Sequence, residues 1–257
     1  DVTSTGGNHD VLTIRTSGNT IDGTGTITVT DAGDRGMRFY DGNKTIASTA
    51  DLTFNGDVYI NTGVTVTNNG TITCDDLFGQ FTTSTWINAA NSTLNVDNTL
   101  MNTGGLNAAA TGNTINYTSG GNENVKVPLG AYYHLIIGGA NTKTLVGNIE
   151  VDGDLTVSSI LSAGTNNIDL SGNWSNTGTF TAGTGTVSFV GAGNQTMTNA
   201  VGETFHGLTI NKSSGTLTFN NDALVEQSLT MTLGDVDVGS NRVTLGTSTA
   251  SIGVLTY

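Results

Sequence analysis

The second half of the chain repeats itself, and this internal repeat restricts the fold more than any other feature of the sequence. The segment Thr114–Tyr117 returns as Thr186–Phe189, and the pair Tyr133-His134 returns as Phe205-His206. The order of the matching segments is preserved, while their offset drifts slightly along the chain. The chain is therefore divided into a divergent N-terminal half and two tandem units, which are residues 1–113, 114–185 and 186–257.

Short segments in which β-branched and polar residues alternate run through the whole chain. Residues 25–30 and 64–67 are examples, and Gly, Asn or Asp pairs such as Asp41-Gly42 close many of them. β-branched side chains suit a pleated strand better than a helix, and such pairs tolerate the positive φ of tight turns. With 36 Gly and a single Pro, the chain is predicted to be almost entirely β.

A repeat of about 72 residues is small for a stable β-sandwich without disulfides. The repeats are more stable as successive coils of one solenoid, because a single coil cannot bury its own apolar side chains whereas stacked coils bury them in a continuous core. We therefore predict a parallel β-solenoid (β-helix) with about 20 to 24 residues per coil and about eleven to thirteen coils, in which stacked Asn side chains form ladders. Serial β-sandwich repeats are the alternative fold.

Alternation with polar neighbours also predicts which side chains of the tandem units point into the core. The predicted inward residues are Val151, Leu155, Val157, Ile168, Leu170, Val225, Leu229, Val243 and Leu245.

The charge of the chain limits its partners and indicates its location. Eight basic and 21 acidic residues give a formal net charge of −13, which would repel nucleic acid and anionic lipid surfaces.

No apolar run is long enough for a membrane helix, so no membrane insertion is expected. Cys74 is the single cysteine, which excludes an intrachain disulfide. Scarce lysine with abundant Thr, Asn and Gly favours a secreted or cell-surface protein.

Three segments have a distinctive sequence: LSGNWSNTGTFTAGTGTVSFVGAGNQTM at residues 170–197, FHGLTINKSSG at 205–215, and GMRFY at 36–40 ahead of Leu52-Thr53-Phe54. These segments resemble repeats of very large secreted and surface proteins of Bacteroidetes-type bacteria. The resemblance is good over residues 106–253 and weaker before them. It implies an extracellular stalk of an adhesin-like protein, and it implies no chemistry.

Catalytic residues are not indicated by the sequence, and no cofactor is expected. Asp75-Asp76 is the only adjacent acidic pair, and neighbouring residues on a strand point to opposite faces, so a turn is the better interpretation. The Lys and Arg residues are scattered along the chain. We therefore expect no enzymatic activity.

Metal binding has two sets of weak candidates. His134 and His206 occupy equivalent repeat positions, which indicates a structural position of the coil rather than a zinc site. Asp31 with Asp34 and Asp152 with Asp154 place carboxylates close together in turns, as calcium ligands require, although ordinary Asx-turns are the better explanation. No metal site is predicted.

Aromatic side chains offer weak candidates for ligand binding, because their faces combine apolar area with a polar edge. Tyr133 aligns with Phe205 and is predicted to lie in the core. Trp86 and Tyr132 are then the residues expected to be free to contact a ligand such as a sugar.

Together these features predict a non-enzymatic extracellular structural and adhesive repeat protein, either a stalk segment or the subunit of a surface filament. Its partners would be further coils, supplied end to end by a second copy or by a longer chain, and surface glycans. The alternative is a carbohydrate-binding or polysaccharide-degrading β-helix protein.

Overall fold

The computed structural model describes residues 2–4, 10–29, 35–247 and 253–257, in which every regular element is a β-strand. The strands stack in parallel as a β-solenoid of about 10 turns, so the predicted solenoid is confirmed and the sandwich alternative is wrong. The described residues contain no helix long and apolar enough to cross a membrane. Two compact units, Asp1–Tyr133 and His134–Tyr257, divide the chain inside the predicted repeat 114–185.

The first unit has three faces, each a stack of parallel strands numbered here in chain order. The first face consists of β1 (Val2–Ser4), β4 (Thr24–Val29), β7 (Asp51–Asn55), β10 (Thr71–Cys74), β13 (Thr93–Val96) and β15 (Thr114–Tyr117). The second face consists of β2 (Asp10–Ile14), β5 (Arg35–Phe39), β8 (Val58–Ile60) and β11 (Leu77–Gly79). The third face consists of β3 (Thr20–Ile21), β6 (Lys44–Ile46), β9 (Thr65–Asn68), β12 (Thr85–Asn88) and β14 (Gly105–Asn107). A further strand, β16, spans Glu123–Val125.

The second unit repeats this arrangement with shorter strands at first and two long strands near its end. The strands are β17 (His134–Ile137), β18 (Thr142–Leu145), β19 (Ile149–Val151), β20 (Leu155–Val157), β21 (Ile160–Ser162), β22 (Ile168–Leu170), β23 (Trp174–Asn176), β24 (Thr179–Thr181), β25 (Thr186–Phe189), β26 (Gln195–Thr198), β27 (Glu203–Phe219), β28 (Ala223–Asp237), β29 (Val243–Leu245) and β30 (Val254–Thr256). Each of β17 to β23 pairs with the strand three positions later. β27 and β28 continue around the corners of the coil, and their register shifts between Phe205 and Gly207 and twice more.

Coil length varies more than the sequence suggested. Leu155 pairs with Trp174 of the next coil, whereas Thr24 pairs with Asp51, so the coil that begins at Thr24 is longer by several residues. The longer coils explain why the chain makes fewer turns than the eleven to thirteen expected.

Inward side chains form the core, as the alternation predicted. Of the nine residues predicted to point inward, six are fully buried: Val151, Leu155, Val157, Ile168, Leu170 and Val225. The other three, Leu229, Val243 and Leu245, are only half-buried. They belong to the last coils described, where an apolar cavity of about 200 Å³ opens among residues including Leu229 and Val243.

The sequence repeat does not correspond to a whole number of coils. Leu135 and Leu208 are equivalent in the repeat, yet Leu135 heads a column that continues through Leu155, Trp174 and Met197. Leu208 instead pairs with Val187, on another face. Because three coils are shorter than the repeat, equivalent residues of the two tandem copies lie on different faces.

Close stacking of the corners explains part of the glycine content. Gly183 has a φ of 61° and lies directly over Gly164. A Cβ on Gly183 would lie 1.9 Å from the Gly164 carbonyl oxygen, a distance that no side chain tolerates. Glycine is required here both for its conformation and for the close approach of the two coils.

Asparagine ladders connect successive coils of the first unit, as expected. The buried Asn68 and Asn88 stack, and Asn68 Nδ2 donates to Asn88 Oδ1 at 2.9 Å. Asn88 Nδ2 in turn donates to the Thr114 carbonyl oxygen at 3.1 Å, one coil further. Each amide therefore satisfies polar groups of its neighbours in an otherwise apolar interior.

Replacing Asn88 with Ala would test the ladder. The change removes the bond that Asn68 Nδ2 donates to Asn88 Oδ1 and the bond that Asn88 donates to the Thr114 carbonyl oxygen, while Asn68 keeps its bond to the Thr93 carbonyl oxygen. Because these groups are buried, we expect the free energy of unfolding to fall by about 1–3 kcal/mol. Urea unfolding followed by far-UV circular dichroism measures the loss. The control is Asn107→Ala at an exposed position, with an expected change under about 0.5 kcal/mol. Equal effects of the two substitutions would contradict a structural role for the ladder.

Candidate functional site

The second face of the first unit carries an outward column that differs from the Thr- and Asn-rich surface around it. Met37 and Phe39 point into the core from β5, so Arg38 between them points outward. Arg38 pairs in register with Tyr59 of β8, and Tyr59 pairs with Phe78 of β11. One cation and two aromatic rings therefore stack on the surface of three successive coils.

The column is held by direct contacts between its side chains. The ring centroids of Tyr59 and Phe78 are 5.0 Å apart, with the planes inclined by 32°. The Arg38 guanidinium lies 4.5 Å from the centroid of the Tyr40 ring and also donates to Gln80 Oε1. Arg15 approaches the same ring at 4.5 Å. These contacts restrict the orientations of Arg38 and Tyr40.

An open groove of about 700 Å³ follows this column. Its lining includes Arg38, Tyr59, Asn61, Phe78, Gln80 and Phe81, and we call it the aromatic groove. Phe81 lies at its edge with 53% of its surface exposed. A concave surface lined by aromatic side chains with a few polar groups is typical of ligand-binding sites.

Carboxylates lie at the corner that leads into this face. Tyr59 donates its hydroxyl hydrogen to Asp57 Oδ2 at 3.0 Å, and the backbone N–H of Thr99 donates to Asp76 Oδ1 at 2.8 Å. Burial raises the pKa of Asp57 above its ordinary value of 3.8, and neighbouring Asp76 and Asp75 raise it further, although the Tyr59 hydrogen bond lowers it. Burial likewise raises the pKa of Asp75. Asp75 and Asp76 lie between β10 and β11, in the predicted turn, where both are half-buried.

The aromatic residues predicted to contact a ligand are in the core. Trp86 points inward from β12 with 1% of its surface exposed, and Tyr132 is fully buried with its hydroxyl donating to the Lys126 carbonyl oxygen. Neither ring can reach a ligand at the surface, so this prediction is wrong. Tyr133, predicted to lie in the core, is half-buried instead.

An inserted residue explains the error at Tyr132 and Tyr133. Phe205, the equivalent of Tyr133, is followed by Gly207, a residue that has no counterpart between His134 and Leu135 of the first copy. A single extra residue exchanges the inward and outward sides of a strand. The core position of Phe205 therefore does not transfer to Tyr133.

The two aligned histidines each lie beside a carboxylate of the next coil. His134 Nδ1 is 3.7 Å from Asp154 Oδ2 and accepts a hydrogen bond from the Asp154 backbone N–H at 3.0 Å. His206 Nδ1 is 3.9 Å from Glu226 Oε2. The repeat therefore preserves a contact between coils, which fits the structural interpretation of the histidines.

The calcium candidates divide into two pairs. Asp31 and Asp34 lie outside the described residues. Asp154 Oδ1 accepts hydrogen bonds from both the backbone and the side chain of Asn173, each at 2.8 Å, while Asp152 is exposed. Asp154 thus links two coils. Across the described ranges, no group of three or more His, Cys, Asp or Glu residues is placed to hold a metal ion.

All four lysines bond to backbone carbonyl oxygens. Lys44 Nζ donates to the carbonyls of Tyr40 and Gly42, both at 2.5 Å, and Lys212 Nζ donates to those of Gly191 and Gly193 at 2.9 and 2.8 Å. Lys126 and Lys143 donate to the carbonyl oxygens of Gly104 and Ala140. Each ammonium satisfies turn carbonyls that the stacked strands leave unpaired.

Two further ionisable side chains, those of Glu203 and Cys74, are buried in the core. Glu203 is 3% exposed, and its Oε2 accepts hydrogen bonds from Trp174 Nε1 and Asn176 Nδ2, both at 2.8 Å. Cys74 is buried, and burial raises the pKa of its thiol far above the ordinary range. Sequence reasoning missed the Glu203 network because its members lie more than a full coil apart in the chain.

Comparisons of the chain with protein-family models, with curated proteins and with solved structures find no match. Function is therefore inferred from the residues described above.

Replacing Asp57 with Asn would test the electrostatics of the acidic corner. A carboxyl whose pKa is raised on folding contributes stability that is fully present below its unfolded pKa and is lost as the pH rises through the folded value. The amide introduced by Asp57→Asn removes the repulsion from Asp75 and Asp76 but still accepts from Tyr59. We therefore expect the variant to unfold at a higher temperature than the wild type at pH 7, and the difference to shrink on acidification below pH 4.

Differential scanning calorimetry between pH 3 and pH 8 measures this difference. Asp235→Asn is the control, because Asp235 is exposed in the second unit. A variant that melts below the wild type at pH 7 would contradict the expected direction.

Proposed function

We propose that the chain is a non-enzymatic structural and adhesive segment of an extracellular surface protein, either part of a stalk or the subunit of a filament. The observation that carries this proposal is the contrast between the earlier coils of the second unit and its last described coils. Up to Val225 the predicted inward residues are fully buried, whereas Leu229, Met231, Val236 and Val243 are half-buried around the apolar cavity. Such a surface fits the addition of a further coil.

Strand edges support the same proposal. In a parallel solenoid each coil offers unpaired N–H and C=O groups to the coil above it, and exposed edges of this kind pair with further strands. A coil from a second copy or from a longer chain would continue the backbone hydrogen bonds and cover the cavity. A coil from a second copy corresponds to the filament, and a coil from a longer chain corresponds to the stalk.

The use of the ionisable residues favours a structural role over catalysis. The lysines bond to turn carbonyls, Glu203 bonds to core side chains, and Cys74 is buried. The carboxylate of Asp57 accepts from the Tyr59 hydroxyl, and that of Asp76 accepts from the Thr99 backbone N–H, so both take part in contacts within the coils.

The extracellular location rests on the composition and on the resemblance to Bacteroidetes-type surface repeats. Only 11% of the residues are charged, and Thr, Asn and Gly are abundant in the chain. The adhesive role is supported by the aromatic groove, which also favours carbohydrate binding as the second candidate function.

Surface location is tested on intact cells of the source organism. Antibodies raised against the purified chain should label unpermeabilised cells, and brief protease treatment of the cells should remove the label. Labelling that requires permeabilisation would contradict the extracellular part of the proposal.

End-to-end association is tested on the purified chain. We expect its sedimentation coefficient to grow with concentration and electron micrographs to show fibres, because coil pairing buries the apolar cavity. Val236→Asp places a charge in that cavity and should abolish growth, whereas Val201→Asp, at a residue 91% exposed, should not. A wild-type chain that stays monomeric at its highest soluble concentration would contradict the filament form and leave the stalk form.

A further inference from the structure

We propose that the aromatic groove binds a neutral glycan chain, with one sugar ring packed against the exposed side of the Tyr59–Phe78 pair. This inference names the ligand of the adhesive role proposed above and rests on that role.

The aromatic surface of the groove fits the apolar side of a sugar ring. Tyr59 and Phe78 point outward from adjacent coils, about 4.8 Å apart along the stack, and their rings contact each other at 5.0 Å between centroids. Phe81 extends this surface at the edge of the groove. A pyranose ring presents a face of C–H groups that packs against aromatic faces, while its hydroxyls point sideways.

Planar polar side chains stand where those hydroxyls would lie. Gln80 and Asn61 line the groove beside the rings and offer both amide donors and carbonyl acceptors. Arg38 is already oriented by Gln80 Oε1 and by the Tyr40 ring, so little conformational freedom remains for a ligand to remove. The site therefore combines an apolar platform with a few oriented polar groups, as small-ligand sites do.

Charge around the groove selects against ionic ligands. Asp57 contacts the Tyr59 hydroxyl, and Asp76 lies beside Asp57, so an anionic sugar on the platform would meet carboxylates. A cationic ligand would meet the Arg38 guanidinium at the same groove. The net charge of −13 adds to the repulsion of anions. A neutral ligand avoids both costs.

Affinity gel electrophoresis of the full chain tests the inference directly. Native gels would contain hydroxyethylcellulose, xyloglucan or galactomannan as neutral probes, and polygalacturonate as an anionic probe. We expect retardation in at least one neutral gel, and a loss of affinity of about tenfold or more when Tyr59→Ala and Phe78→Ala are combined. Phe78→Trp should retain binding, because it preserves an aromatic face.

The matched control is Tyr257→Ala, which removes a tyrosine that is 97% exposed and lies in the second unit. It should leave the retardation unchanged. Thermal unfolding of each variant shows that the solenoid is intact, and binding by Phe78→Trp separates loss of the platform from loss of the fold.

Three results would overturn the inference. They are no retardation in any neutral gel, equal retardation of the wild type and the double alanine variant, and retardation by polygalacturonate alone. A failed glycan inference leaves the cell-surface labelling unchanged, and a failed surface location leaves glycan binding by the purified chain unchanged, so the two failures are distinguishable.

Discussion

Parallel hydrogen bonding between successive coils is the constraint on which the rest of the structure depends. Each strand finds its backbone partners in the coil before and the coil after, in a fixed register, so every residue stacks on a residue about one coil away. Wherever the chain turns a corner, the backbone must keep that spacing. Gly183 over Gly164, the Asn68–Asn88 pair and the lysines that bond to turn carbonyls are three ways of meeting this requirement.

Stacking at this spacing also explains why charge is scarce and where it is placed. Residues of the same sign on neighbouring coils repel each other at about 4.8 Å, and burial strengthens the effect. Asp57 shows the cost, since burial raises its pKa and the nearby charges of Asp76 and Asp75 raise it further. At His134 the next coil supplies a hydrogen-bond donor instead, since the Asp154 backbone N–H donates to His134 Nδ1.

The size of the repeat was sufficient to predict stacked coils, and alternation along single strands predicted most of the inward residues, because the side-chain period of a strand is two whatever its neighbours are. It failed at Tyr132, because Gly207 is an additional residue of the other copy and breaks the equivalence of the two strands. It also missed the aromatic groove, since Arg38, Tyr59 and Phe78 are each separated by a whole coil of sequence and meet only through the coil length. With that length known, aligning the chain coil by coil would have placed them in one column.

The mismatch between the repeat and the coil has a geometric consequence for any longer array of such repeats. Leu135 and Leu208 occupy the same position in the two copies of the repeat. Along the solenoid, however, Leu208 lies three full coils and two further faces beyond Leu135. Tandem duplication of this unit therefore acts as a screw operation rather than a translation. Three successive copies would point the same side chain in three directions around the axis, and the fourth would return to the first. A surface feature acquired once would thus be displayed radially, without any further mutation.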